Sequence, residues 1–325
     1  MAGARTWRPR EQFFGPSIAH LDDVASLNQV FSDAFTERYR RDGMVGVRVP
    51  MLNPAIWRYA IEDAASGAML WRDGRGQIAA FNIVHRSGTE GWMGPLAVRS
   101  DHQAAGLGRT IVTAGIEWLR RSGARVIGLE TMPRTMDNIG FYSSLGFVPG
   151  RLTITVTLES APAAHAPLLL GRLGDDEKRE AAEACRELLD RIAPGYDHTR
   201  EIVITDRLAL GDTLLLRDAS GRLRGFALCH SAPLVEGRAR DELRVLKLVL
   251  DDERLLGEML RGLRDMARRS GTQRVAIRMQ GEYEDAYAAL IELGGRVRWT
   301  DLRMALHDAP AVKPAQGMVL SNWEI

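Results

Sequence analysis

The residues with the clearest chemical potential lie in one loop, Val98-Arg-Ser-Asp-His-Gln-Ala-Ala-Gly-Leu-Gly-Arg-Thr110. An apolar run precedes it and a stretch with helical apolar spacing follows, so the segment reads as a strand-to-helix turn. Gly106 and Gly108, with Ala104 and Ala105, leave the backbone uncovered where the first amides of a helix lack intrahelical acceptors. Free N–H groups and the positive end of the helix dipole then converge on one point, an anion site suited to a pyrophosphate. A side chain at position 106 or 108 would stand between backbone and phosphate. Two other phosphate loops are excluded. A dinucleotide fingerprint needs Gly or Ala three residues after Gly108, where Ile111 stands. A P-loop needs Gly-Lys-Ser/Thr, where the chain has Gly108-Arg109-Thr110 and glycines set too close together.

A second cluster follows downstream: Asn138-Ile-Gly-Phe-Tyr142-Ser-Ser-Leu-Gly146-Phe147. Together with Gln103-Ala-Ala-Gly106-Leu-Gly108 and Val98 upstream, it resembles the two hallmarks of the GNAT superfamily of N-acetyltransferases, over residues 17–158. The resemblance implies acetyl-CoA as cofactor. The pantetheine arm would pair with the backbone of Leu96, Ala97 and Val98, and Gln103, Ala104, Ala105, Gly106, Leu107, Gly108, Arg109 and Thr110 would form the pyrophosphate cradle. Many members carry an Asn seven residues before the tyrosine. Here Thr135 holds that slot and Asn138 lies four before, so both are candidates for cofactor contact.

Attack of a neutral amine on a thioester requires a stabilised oxyanion, removal of a proton and protonation of the thiolate. By resemblance Tyr142 is the general acid, and an amide near Val98 polarises the thioester carbonyl. The base is left open. Glu130 ends the strand after the cofactor helix and is the first choice. His85, Glu90, His102 (the last two read as solvent-facing loop residues), the C-terminal carboxylate of Ile325 and ordered water are alternatives. The helices after the first strand would set acceptor specificity, which makes Phe35, Tyr39, Trp57 and His85 candidate acceptor contacts. Tyr59 and the cations Arg38, Arg40, Arg41 and Arg48 lie in or near the same region, so an acceptor with a ring or a carboxylate would fit.

The elements that must position these groups recur within the chain. Leu70–His85 reads onto Leu215–His230, each a β-hairpin with an Asp/Gly turn. Arg120-Arg-Ser-Gly123 matches Arg268-Arg-Ser-Gly271, each closing an amphipathic helix before a buried strand, and Tyr142-Ser-Ser-Leu-Gly146 matches Leu290-Ile-Glu-Leu-Gly294. In the first half strands are expected at 17–20, 68–72, 78–85, 92–98, 126–131 and 152–158, with helices at 22–35, 54–64, 109–122 and 137–145. The expected fold is therefore α/β (α+β): two tandem GNAT-like domains, each a mixed, mostly antiparallel central sheet flanked by helices. Residues 1–158 would be the catalytic domain and 159–167, rich in Ala and Pro, a linker. Residues 168–308 would be a degenerate domain, and 309–325 a tail that packs as a last strand. In the second half Met259 replaces Gly108, Leu290 replaces Tyr142, acidic residues (Asp251, Asp252, Glu253, Glu258) crowd the loop, and about three residues are missing. That half should not bind coenzyme A but should pack on the first, walling its acceptor cleft.

Composition constrains the rest. Formal net charge is +1, from 43 Lys+Arg against 42 Asp+Glu, so no global field draws nucleic acid or anionic membrane. Cys185 and Cys229 show no CxxC spacing, which argues against a disulfide framework or a Cys-rich metal site and suits a reducing cytoplasm. No apolar run in the sequence has the length expected of a signal peptide or of a membrane span. The expected acceptor is a small-molecule amine and the expected assembly a monomer or homodimer. A protein-lysine or N-terminal acetyltransferase and a non-catalytic acyl-CoA sensor are the competing readings.

Overall fold

The computed structural model describes residues 12–103 and 105–324. Both halves use the same element order. The first half comprises β1 (Phe14–Ile18), α1 (Val24–Arg41), α2 (Pro54–Ala64), β2 (Ala68–Arg72), β3 (Ile78–Ser87), β4 (Glu90–Val98), α3 (Leu107–Arg121), β5 (Val126–Thr131), α4 (Met136–Ser143) and β6 (Phe147–Glu159). The second half comprises β7 (Leu168–Leu169), α5 (Asp175–Ile192), α6 (Thr199–Arg207), β8 (Gly211–Arg217), β9 (Leu223–His230), β10 (Glu242–Leu250), α7 (Leu256–Arg269), β11 (Arg274–Gln280), α8 (Glu284–Glu292) and β12 (Arg296–Leu306). The tail adds β13 (Met318–Ser321). None of the described helices is long and apolar enough to cross a membrane.

Local chemistry explains the repetition. In the β2–β3 turn Asp73 Oδ1 accepts the backbone N–H groups of Arg75 and Gln77, and in the β8–β9 turn Asp218 Oδ1 accepts those of Ser220 and Arg222. Helix α2 starts on Asn53, whose side chain accepts from Ala55 N, followed by Pro54 at the first helical position. The apolar faces of α1 and α2 and those of α5 and α6 merge into one core shared by the two halves. A second core lies under α3 and a third under α7.

All strands join one sheet, in the order β1-β2-β3-β4-β5-β12-β6-β11-β10-β9-β8-β7, with β13 pairing β10. The pairs β4–β5 and β10–β11 are parallel and the others antiparallel. The halves therefore exchange their last strands. β12 pairs with β5 of the first half, and β6 pairs with β11 of the second, with β6 and β12 paired to each other between them. Simple tandem domains would each close their own sheet; here the hydrogen-bond ladder runs through both.

The tail crosses this seam in the opposite sense. β13 lies on β10, and Trp323 beyond it is fully buried against the first half. Trp323 Nε1 donates to Glu90 Oε1 at 2.8 Å, Arg303 stacks its guanidinium 3.8 Å from the ring centroid, and a side chain at Gly128 would collide with the ring. Removing this side chain leaves a cavity at the seam. Trp323→Ala is expected to lower the unfolding free energy by about 3–5 kcal/mol in one cooperative transition, as measured by urea denaturation. Two separate transitions would show that the halves are not one folding unit.

Candidate active site

The site begins where two parallel strands part. β4 pairs with β5 only over Glu90–Met93 against Val126–Leu129. Beyond Gly94-Pro95 it stays on β3, with Leu96, Ala97 and Val98 opposite Asn82, Phe81 and Ala80. Pro95 has no N–H to give to β5. The second edge of Leu96–Val98 therefore has no strand partner among the described residues. The second half parts in the same register: β10 pairs with β11 over Glu242–Val245, then continues on β9. There the wedge is filled, because β13 pairs with Lys247–Leu250. The three residues that match Leu96, Ala97 and Val98 in register are Leu248, Val249 and Leu250, and all are paired by β13. Buried Lys247 donates to Ser321 Oγ at 2.8 Å, which pins the plug in place.

The loop after β4 also differs between halves. Eight residues (99–106) separate β4 from α3, while five (251–255) separate β10 from α7. Gly106 has a left-handed φ of 84° with no atom near its missing Cβ, and it starts α3 with an open approach. The carbonyl of Gly106 accepts from Arg109 N and Thr110 N, which leaves the amides of Leu107 and Gly108 at the helix mouth. Gln103 reaches back to Val98 O at 3.3 Å, and Arg109 donates to Ser144 Oγ at 3.0 Å across the loop. Ala105 is exposed and buried Leu107 anchors the turn. Ala104 lies outside the described residues. In the second half Met259 and Leu290 are fully buried core residues and Asp252 caps the helix entry, so no anion cradle remains.

A cavity of about 390 Å³ opens at the splay, lined by Met93, Gly94, Pro95 and Leu96 from β4 and by Asn138 and Tyr142 from α4. Tyr142 is buried, and desolvation pushes its hydroxyl up to about 12. Asn138, not Thr135, shares this wall; buried Thr135 donates instead to Asp42 Oδ2 at 2.6 Å. Phe35 and Tyr39 line the cavity as expected. Trp57 and His85 do not. Trp57 is wedged between Phe31 and Phe81, and His85 is fully buried, stacked on Trp92 with Nδ1 2.5 Å from Asp63. The expected basic lining is also neutralised. Arg38 reaches the cavity but is paired with Asp42, Arg40 and Arg41 pair with Glu37, and Arg48 pairs with Asp33.

The second half roofs the cavity with Leu234 and Val235 and contributes Trp299 and Asp301 from β12 and Trp323 and Glu324 from the tail. Sequence reasoning missed all six, because nothing local marks β12, the tail or the segment before β10 as neighbours of α4. The candidate bases fare differently. Glu130 touches the cavity, but its side chain is 2% exposed and both oxygens are engaged. It accepts from Thr153 at 2.5 Å, Arg278 at 2.5 Å and Arg303 at 2.9 Å. Burial alone would raise this carboxyl, but Arg278 and Arg303, with the Thr153 hydrogen bond, hold it at about 2. A carboxylate so placed is a structural anion and a poor proton acceptor. Glu90 and His102, read from the sequence as solvent-facing, are both buried; Glu90 accepts from Ser321 and Trp323, and His102 contacts Arg99. Ile325 lies outside the described residues.

Residues 27–147 match the model of the acetyltransferase (GNAT) family. No curated protein sequence matches the chain. Among solved structures, a GCN5-related N-acetyltransferase from Sphaerobacter thermophilus is 16% identical with a TM-score of 0.60, over 95% of this chain and 99% of that one. A tandem GNAT protein from the clavulanic acid biosynthesis pathway is 12% identical with a TM-score of 0.59, over 93% and 100%. Saccharomyces cerevisiae N-myristoyltransferase with bound myristoyl-CoA is 8% identical with a TM-score of 0.61, over 94% and 80%. At these identities the likeness is one of fold, and it spans both halves.

Two measurements check the site. Calorimetry with acetyl-CoA should give one site per chain, abolished by Gly108→Trp, which fills the open helix mouth beside Phe141. Two sites per chain would show that β13 does not exclude the cofactor. Glu130→Gln should cost about 3–5 kcal/mol of stability, because it leaves two buried guanidinium groups without their shared anion. Urea denaturation reads this, and a variant as stable as the parent would overturn the structural assignment.

Proposed function

We propose, from the match of residues 27–147 to the acetyltransferase (GNAT) family model, that the enzyme moves the acetyl group of acetyl-CoA to a primary amine of a small molecule, by direct attack with both reactants bound. The observation that carries this reading is the unpaired edge of Leu96–Val98 beside a cavity that holds Tyr142 and Asn138. The same edge in the second half is paired by β13, so an extended ligand is the natural partner of the first. When bound, acetyl-CoA supplies the reactive thioester.

The chain's own residues supply orientation and proton control. Leu96–Val98 would hold the pantetheine arm through backbone pairing, and Gly106, Leu107, Gly108 and Arg109 would hold the pyrophosphate. A main-chain N–H near Val98 is placed to stabilise negative charge on the carbonyl oxygen. Tyr142, kept protonated by burial, is placed to protonate the leaving sulfur. Cavity size supports a short acyl group, since acyl group and acceptor share the same space. The roof of Leu234, Val235 and Trp323 encloses that space, which supports a small acceptor over a peptide laid in an open groove. Tyr39 and Trp299 stack at 6.4 Å beside Asp301 and Glu324, a wall that suits an ammonium on an aromatic or apolar body. The acceptor carboxylate suggested by the sequence has no unpaired cation to meet, since Arg38 is held by Asp42.

Thiol release from acetyl-CoA with arylalkylamines should therefore exceed that with lysine peptides or with no amine. Tyr142→Phe should lower kcat by about 10²–10⁴-fold with acetyl-CoA affinity unchanged by calorimetry. An undiminished rate would remove Tyr142 as the acid.

A further inference from the structure

Three carboxylates line the cavity, and their bonding separates them. Glu130 is saturated by Thr153, Arg278 and Arg303. Asp301 has both oxygens committed: Oδ2 accepts from Arg278 at 3.0 Å and Oδ1 from Trp299 Nε1 at 3.2 Å. Glu324 has Oε2 3.0 Å from Arg278 Nη1, while Oε1 takes no hydrogen bond from the described residues. Its side chain is 50% exposed, against 2% and 5% for the other two, and it is the member open to the cavity.

The tail holds it there rigidly. β13 is paired along β10, Trp323 is locked by Glu90 and Arg303, and Glu324 N donates to Asn322 Oδ1 at 3.1 Å. The carbonyl of Trp323 lies beside Gly94, at the point where β4 leaves β5. A carboxylate on the next residue therefore shares the cavity with the unpaired β4 edge and Tyr142.

Resting on the acyl-transfer reading above, we propose that Glu324, delivered by the tail of the second half, is the general base for the first half's reaction. The bound ammonium first loses one proton to water; Glu324 takes a second from the resulting neutral amine as its lone pair forms the C–N bond to the acetyl carbon and the C–S bond breaks. Tyr142 gives its proton to the departing sulfur, and both groups then re-equilibrate with water. The groups facing Glu324 are Arg278 on β11, Asp301 on β12, Glu130 on β5, Arg244 on β10 and Tyr39 on α1, with Arg38 and Tyr142 on the same cavity and Arg303 of β12 bonded to Glu130. Enclosure in the cavity pushes its carboxyl up to about 7; Arg278 opposes this, and Asp301 and Glu130 reinforce it. A base in that range is matched to neutral pH.

The test uses the full chain with acetyl-CoA and a panel of primary amines headed by phenethylamine, read by thiol release. Wild-type kcat, with acetyl-CoA and amine both saturating, should rise with pH and level off above about 7. Glu324→Gln should lower kcat about 10²–10⁴-fold, lose that rise and keep its acetyl-CoA affinity; added formate should restore part of the rate to Glu324→Ala. A second readout needs no cofactor. A carboxyl raised in the folded state binds a proton that the unfolded chain has already lost, so wild-type Tm relative to Glu324→Gln should fall between about pH 4.5 and about pH 7 and level off above. Glu324→Gln with full rate and an unchanged pH profile, or a Tm difference that is flat across that window, would overturn the proposal. No thiol release from the wild type with any amine would remove the acyl-transfer reading and this proposal with it.

Discussion

A backbone edge inside a protein needs hydrogen-bond partners, and the parting of β4 from β5 after Met93 creates an edge that the described chain leaves unpaired. The duplicated half shows what the chain does when it closes such an edge itself. β13 enters the equivalent wedge between β10 and β11 and pairs four residues of β10, and buried Lys247 is tied to Ser321 at its end. The loop that would cradle an anion is shorter there, and the position matching the tyrosine holds a core leucine. One half keeps a ligand-sized gap in its ladder; the other has filled that gap with its own strand.

That plug has consequences for the first half. Because β13 ends at the seam, the residues after it emerge into the other half's cavity, and Trp323 seals the joint between Glu90, Arg303 and Gly128. The exchange of β6 and β12 works in the same direction. β12 places Trp299, Asp301 and Arg303 beside β5, where a self-contained first half would have had a strand of its own. The second half has its wedge filled by β13 and is nonetheless structurally part of the first half's cavity.

The charges follow from this topology. Arg278 and Arg303 are brought against Glu130 by strands more than a hundred residues apart in the chain, and Arg278 also meets Asp301 and Glu324. Buried ions are tolerated only when each finds its partner with good geometry. Glu130 and Asp301 are fully bonded and hold the seam; Glu324 is bonded on one oxygen and faces the cavity. Chemically identical groups thus take different roles according to how many donors reach them.

Much of this protein was legible in its sequence, because it depends on local physics. Asp73 and Asp218 mark repeated hairpin turns, Asn53-Pro54 marks a helix start, and the glycines of 106–108 mark an open helix mouth; each acts through neighbours a few residues away. Apolar spacing placed the first-half strands and helices close to where they lie. It could not place what depends on distant partners. Trp57 and His85 looked available to an acceptor but fill the core, and Glu130 looked like a free carboxylate until two arginines from the other half reached it. The exchange of β6 and β12 is invisible to pattern, since a strand's alternation says which face is buried and not which edge it will pair. Sequence alone determined the repeated elements and the open glycine turn before α3, while tertiary structure decided which wedge stays open, which carboxylate faces the cavity and which half supplies it, because pairing and burial are set by residues far apart in the chain.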